Sequence, residues 1–169
     1  EAGLWVMIET PRAVLNLAEI AAASRATRLG AFVMGLNDLA KETRARPGVD
    51  RAPFFATLSL AVTAARAHAL CAIDGVYNDL QDARGFETEC LQGAYFGFDG
   101  KTLIHPSQIA TANIVFAPSP DEIAQARDVI AAFAAPENAG KGVLKVNGKM
   151  TELLHLEEAR RIVALAEAI

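Results

Sequence analysis

Short apolar runs without polar alternation recur along this chain, and each is followed by a longer stretch with helical spacing. Leu4-Trp5-Val6-Met7-Ile8 is the first and Ala31-Phe32-Val33-Met34 the second. Leu70-Cys71-Ala72-Ile73, continuing towards Val76, is the third, and Thr102-Leu103-Ile104, stopped by Pro106, is the fourth. A strand that does not alternate needs apolar cover on both faces, and such strands separated by helices define a parallel sheet with helical crossovers. The connections agree with this. Thr10 offers an N-cap hydroxyl and Pro11 suits the first helical position, with Val14, Leu15, Leu17 and Ile20 following at helical spacing. The second run ends at Gly35 and Asp38, Pro47 to Asp50 reads as a turn, Ala52 to Ala69 as a long alanine-rich helix, and Phe86 to Leu91 as a short one.

After the fourth run the pattern changes. Ser107 can cap a short helix through Phe116, and Ser119-Pro120 with Glu122 forms a capping box whose helix runs to about Ala134. Pro136 to Gly142 is a linker, Val143 to Met150 a hairpin turning at Asn147-Gly148, and a final amphipathic helix carries Leu153, Leu156, Ile162, Val163 and Leu165. The expected organisation is therefore residues 1–135 as a βα array and 136–169 as an extension. Four βα units fit either a small open sheet of flavodoxin-like type or half of a (β/α)8 barrel, and composition does not choose between them.

The 169 residues suffice for a real core. A formal net charge of −4 argues against a general nucleic-acid binder. The hydrophobic fraction is 52%, much of it alanine, but no run approaches the roughly 20 residues that span a bilayer, so no membrane partner is expected. Cys71 and Cys90 lack metal-ligand or redox spacing. Cys71, inside an apolar run, reads as a small core residue, and a reducing, cytoplasmic setting is the default.

Glu9 follows the first apolar run directly and Asp38 lies just past the second. In a parallel barrel all C-terminal strand ends share one rim, where two carboxylates suit a hard, oxygen-seeking cation such as Mg²⁺. They serve equally as acids placed at the positive ends of the following helices. Asp74, Asp79 and Asp82 read as solvated loop acids, Lys101 as a solvated cation, His105 as a structural histidine, and His68 and His155 as surface or packing residues. Gly93, Gly97 and Gly100 lack the order of a dinucleotide fingerprint.

Several motifs in order carry a family resemblance. Ile8-Glu9-Thr10-Pro11-Arg12, Gly35-Leu36-Asn37-Asp38-Leu39, Ala72-Ile73-Asp74-Gly75-Val76, the stretch from Gly97-Phe98-Asp99-Gly100-Lys101 through His105-Pro106-Ser107-Gln108-Ile109, and Gly148-Lys149-Met150 resemble the HpcH/HpaI aldolase and citrate-lyase-β group of enzymes. The resemblance runs from Glu9 to the end of the chain. It implies an α/β fold, the second half of a (β/α)8 TIM barrel (strands 5–8) with a C-terminal hairpin-helix extension. On that footing roughly another hundred residues are expected upstream, by the usual size of such barrels.

The same resemblance implies Mg²⁺ held by Glu9 and Asp38, a substrate carboxylate held by backbone N–H groups over Gly35, Leu36, Asn37 and Asp38, and Glu152 as acid or base. Relatives usually carry aspartate at the position of Glu152, supplied from a neighbouring subunit, so a homo-oligomer (trimer or hexamer) is expected. The implied function is Mg²⁺-dependent cleavage or formation of a C–C bond in a CoA-thioester substrate such as citryl-CoA or malyl-CoA. Two alternatives stand beside it: a CoA thioesterase on the same scaffold, and a non-catalytic CoA-binding subunit.

Overall fold

The first apolar run forms strand β1, Leu4–Ile8, in the computed structural model, which describes residues 2–48 and 50–169. Thr10 Oγ1 accepts from Ala13 N at 3.1 Å and starts α1, Pro11–Leu15; a break at Asn16 separates it from α2, Leu17–Ala22. β2, Leu29–Met34, leads into α3, Leu36–Thr43. Of the turn expected over Pro47 to Asp50, Val49 lies outside the described residues. A 3₁₀ turn over Ala52–Phe54, seeded by Pro53, precedes α4, Phe55–Ala67. β3, Cys71–Asp74, α5, Ala83–Phe96, and β4, Gly100–Lys101, follow, and a 3₁₀ turn at Pro106–Gln108 leads to α6, Ile109–Phe116.

The strands form one parallel sheet in the order β1-β2-β3-β4, with Ile8 opposite Met34, Phe32 opposite Ala72 and Asp74 opposite Lys101. Alternation along the strands sends Ile8, Phe32, Met34 and Ala72 into one core with Leu17, Leu39, Leu58 and Ala61 of the helices. The other face is different. Trp5 and Met7 are 64% and 52% exposed, and Cys71 is exposed as well. Both the expectation of strands buried on two faces and that of Cys71 as a core residue are corrected here, because the helices of these residues cover one face only.

Three boundaries also moved. β4 lies two residues earlier than the run Thr102–Ile104: Thr102 N donates to Asp74 O at 3.0 Å, and Ile104 N is then drawn to Gln108 Oε1 at 3.0 Å, which ends the strand. α5 is longer than Phe86–Leu91 because Asp82 Oδ1 caps it through Gly85 N at 2.8 Å. His105, not Ser107, caps the turn at Pro106, its Nδ1 accepting from Ser107 N at 3.2 Å.

Contacts divide the chain into two units, Glu1–Phe116 and Ala117–Ile169. In the second, α7 spans Pro120–Ala134 behind the Ser119–Glu122 capping box. β5, Val143–Val146, and β6, Lys149–Glu152, form the hairpin, with Asn147 and Gly148 at φ 50° and 82°, the left-handed pair that such a two-residue turn requires. α8, Leu153–Ala168, packs along α7, and Asn147 Nδ2 donates to Asp128 Oδ2 at 2.8 Å. By contacts α7 groups with α8 in the second unit. Among the described residues no helix is long and apolar enough to cross a membrane.

Candidate active site

Parallel pairing of β1 with β2 brings their C-terminal ends level, and Gly35 N donates to Ile8 O at 3.0 Å across the gap. Glu9 follows β1 and folds over Gly35 so closely that a side chain at position 35 would run into Glu9 Cβ, with Glu9 Oε2 2.9 Å from where its Cβ would stand. Gly35 is also the N-cap of α3 and gives no side-chain acceptor to the amides of the first turn, formed by Leu36, Asn37 and Asp38. Asp38 is exposed in that turn, two residues beyond the buried Leu36. Among the described residues neither the Glu9 nor the Asp38 carboxylate has a hydrogen-bond or ion-pair partner.

The donor chemistry fits Mg²⁺, which takes one or two protein carboxylates and fills its remaining positions with water and substrate oxygens. No larger group of His, Cys, Asp and Glu gathers among the described residues.

Beside this rim lies an open cleft of about 370 Å³. Leu36, Asn37 and Phe54 line it together with residues of two loops, Pro47, Gly48 and Arg51 on one and Val76, Tyr77, Asn78 and Asp79 on the other. The Asn37 and Asn78 amides bond reciprocally, at 3.1 and 2.8 Å, and tie the start of α3 to the loop after β3. Tyr77 O accepts from Gln108 Nε2 at 3.1 Å, and its hydroxyl donates to Asp82 Oδ2 at 2.8 Å. Burial, aided by that bond, pushes the Tyr77 hydroxyl up to about 12, while the Gly85 amide and the Tyr77 hydroxyl hold Asp82 below the usual carboxylate range.

Under the cleft sits a buried ionic cluster that the sequence reading missed. Arg51 Nη1 reaches both Asp74 oxygens, at 2.8 and 3.0 Å, and Arg51 Nε reaches Gln92 Oε1 at 2.8 Å. Lys101 Nζ lies 3.1 Å from Asp74 Oδ2 and 2.6 Å from Glu89 Oε1. Asp74 is fully buried and the Lys101 side chain is too, which corrects their reading as solvated groups. Two cations and two carboxylates cancel, and burial in pairs is the way such charges are tolerated. The signal was present: Asp74 ends an apolar strand, and Glu89 lies on the apolar stripe of α5 between Phe86 and Gly93.

Glu152 lies in the second unit, as the N-cap of α8, where its backbone N donates to His155 Nδ1 at 2.9 Å. His105 is exposed and bonds Ser107 Oγ at 2.9 Å. The first unit therefore brings Glu9, Gly35, Leu36, Asn37 and Asp38 to one rim, whereas Glu152 belongs to the other unit.

Residues 1–106 match the model of the HpcH/HpaI aldolase/citrate lyase family. A (3S)-malyl-CoA thioesterase of Cereibacter sphaeroides is 53% identical over 166 residues, an alignment covering 98% of this chain and 57% of the relative. A citrate lyase subunit beta of Leuconostoc mesenteroides subsp. cremoris is 35% identical over 165 residues, covering 98% and 54%. Among solved structures, protein CitE from Mycobacterium tuberculosis, in complex with magnesium, acetoacetate and coenzyme A, superposes with a TM-score of 0.78 at 29% identity over 98% of this chain and 61% of that one. The chain thus spans a little over half the length of the curated relatives it matches.

Proposed function

The chain belongs to the HpcH/HpaI aldolase/citrate lyase family, and from that premise we propose that the whole protein is a Mg²⁺-dependent enzyme acting on a short 3-hydroxyacyl-CoA ester of malyl type. The observation that carries the proposal is a pair of carboxylates without a partner among the described residues: Glu9, folded over Gly35 at the end of β1, and Asp38, in the first turn of the helix that follows β2. Glu9 and Asp38 would hold the ion, which when bound supplies Lewis-acid polarisation of a substrate oxygen. The uncapped first-turn amides of α3 would orient the substrate carboxylate, with the helix dipole in favour. Glu152, delivered by a neighbouring subunit, would move the proton.

The names of the relatives support two choices for the bond that breaks. The 53% relative bears the name of a thioesterase, and we favour hydrolysis: water adds to the thioester carbonyl, its proton passes to Glu152, the C–S bond breaks, and the leaving CoA thiolate takes that proton as free thiol. The 35% relative is named for a lyase and supports a second reading, in which Glu152 takes the substrate hydroxyl proton, the C–C bond opens to an oxo-acid and a thioester enolate, and the enolate carbon takes up a proton to give acetyl-CoA. Product analysis on full-length protein with malyl-CoA separates them: free malate and CoA for hydrolysis, glyoxylate and acetyl-CoA for cleavage. Glu9→Gln and Asp38→Asn should each weaken Mg²⁺ binding strongly in calorimetry and abolish most turnover. Unchanged Mg²⁺ affinity in both would make these acids helix caps and remove the centre of the proposal.

The architecture we propose is the second half of a (β/α)8 barrel. It is supported by the parallel order β1 to β4 and by the uncovered apolar face at Trp5 and Met7, which an opposing half would close. Residues 136–169 would be the appendage that reaches a neighbouring subunit in a homo-oligomer.

A further inference from the structure

We propose that Arg51 is a positioning residue, which acts through Asp74 and Gln92 to hold the loop before α4 as a preformed wall of the cleft; the inference rests on the reading of that cleft as part of the substrate site. Three features of Arg51 converge. Its backbone is left-handed, at φ 59° and ψ 21°, a conformation that costs a residue with a side chain and persists only where its surroundings hold it. Its side chain is nearly buried, the residue being 4% exposed, and runs beneath the loop to the end of β3. Its Nη2 is buried without an acceptor among the described residues.

A cluster selected for stability alone would be poorly served by this arrangement. An unsatisfied guanidinium N–H and four desolvated charges are expensive, and apolar residues of like volume commonly serve stability as well. What the cluster supplies is geometry. Arg51 N donates to Gly48 O at 3.3 Å and Phe54 N to Arg51 O at 2.8 Å, so the residue closes the turn on one side and opens the next on the other. Gln92 Nε2 donates to Asp50 O at 3.0 Å while Gln92 Oε1 receives Arg51 Nε, which fastens the loop to α5. Asp74 Oδ1 also accepts from Gly75 N at 2.7 Å, so the same carboxylate sets the start of the facing loop. Both walls of the cleft thus refer to one ion pair.

Lysine tests this, because an ammonium keeps the charge on Asp74 but cannot bond Gln92 at the same time. Gln92→Ala tests it without stranding a charge. In full-length protein, hydrogen exchange over 47–54 should quicken roughly tenfold in Arg51→Lys and in Gln92→Ala, about the loss of one well-made hydrogen bond, with β1 and β2 unchanged. KM for the CoA ester should rise by a similar factor while kcat falls less than about twofold, since Glu9 and Asp38 are untouched. Exchange unchanged in both variants, or quickened equally across residues 1–116, would overturn the proposal, as would an unchanged KM beside a loosened loop. If wild-type protein turned over no CoA ester, the functional reading would fall while the exchange measurement still decided the positioning role.

Discussion

Gly35 bears the tightest steric demand at the rim. Any Cβ there enters Glu9, touching backbone-proximal Cβ rather than a flexible tip, so the neighbour cannot swing clear. Gly35→Ala should therefore displace Glu9 while leaving Asp38 in place. The expected outcome is Mg²⁺ affinity reduced about tenfold or more by calorimetry, of the order that supporting contacts around a metal ligand contribute, with a smaller loss of stability. Affinity equal to wild type would show that Glu9 is not set by this contact. At this scale Glu9 and Asp38 were legible because each follows an apolar run. Arg51 and Gln92 were not, because 41 residues separate them and only the packing of α5 under the loop brings them together.

The elements were read well where short-range chemistry sets their ends. The Ser119 cap, the Asn147-Gly148 turn and the Pro11 start all act over three or four residues. In the cap, Ser119 Oγ donates to Glu122 Oε2 at 2.7 Å and Ser119 N to the same oxygen at 2.8 Å, and these bonds, the hydroxyl first, hold the Glu122 carboxyl below its ordinary 4.5. A carboxyl whose folded pKa is lowered adds stability above its unfolded value and loses it as pH falls through the folded one. Ser119→Ala should cost about 1 kcal/mol near neutral pH in urea unfolding. The gap between variant and wild type should narrow as pH is taken below 4.5, leaving the part owed to the Glu122 N–H bond to Ser119 Oγ, which does not titrate. A gap independent of pH would mean that the carboxylate has no part in the cap. β4 was misplaced for the opposite reason: its ends answer to Asp74 and Gln108, which lie on other elements.

For the whole molecule, the open question of cover on the second face of the sheet has a direct test, because Trp5 is the only tryptophan and stands on that face. Among the described residues β1 pairs with β2 alone, which leaves one edge able to receive another strand. If an opposing half-barrel closes over it, acrylamide quenching of Trp5 should fall severalfold in full-length protein, with any other tryptophan replaced by phenylalanine, compared with the 169-residue chain. Equal quenching would defeat the half-barrel. The α/β class, the parallel sheet and the position of Glu9 and Asp38 just past two apolar strands were determined by sequence alone, because apolar periodicity, caps and turn residues act locally and repeat. The exposure of Trp5 and Cys71, the burial of Asp74 and Lys101, and the loop held by Arg51 were decided by tertiary structure alone. Burial and charge pairing depend on which distant segment supplies the other side, and no local pattern records that.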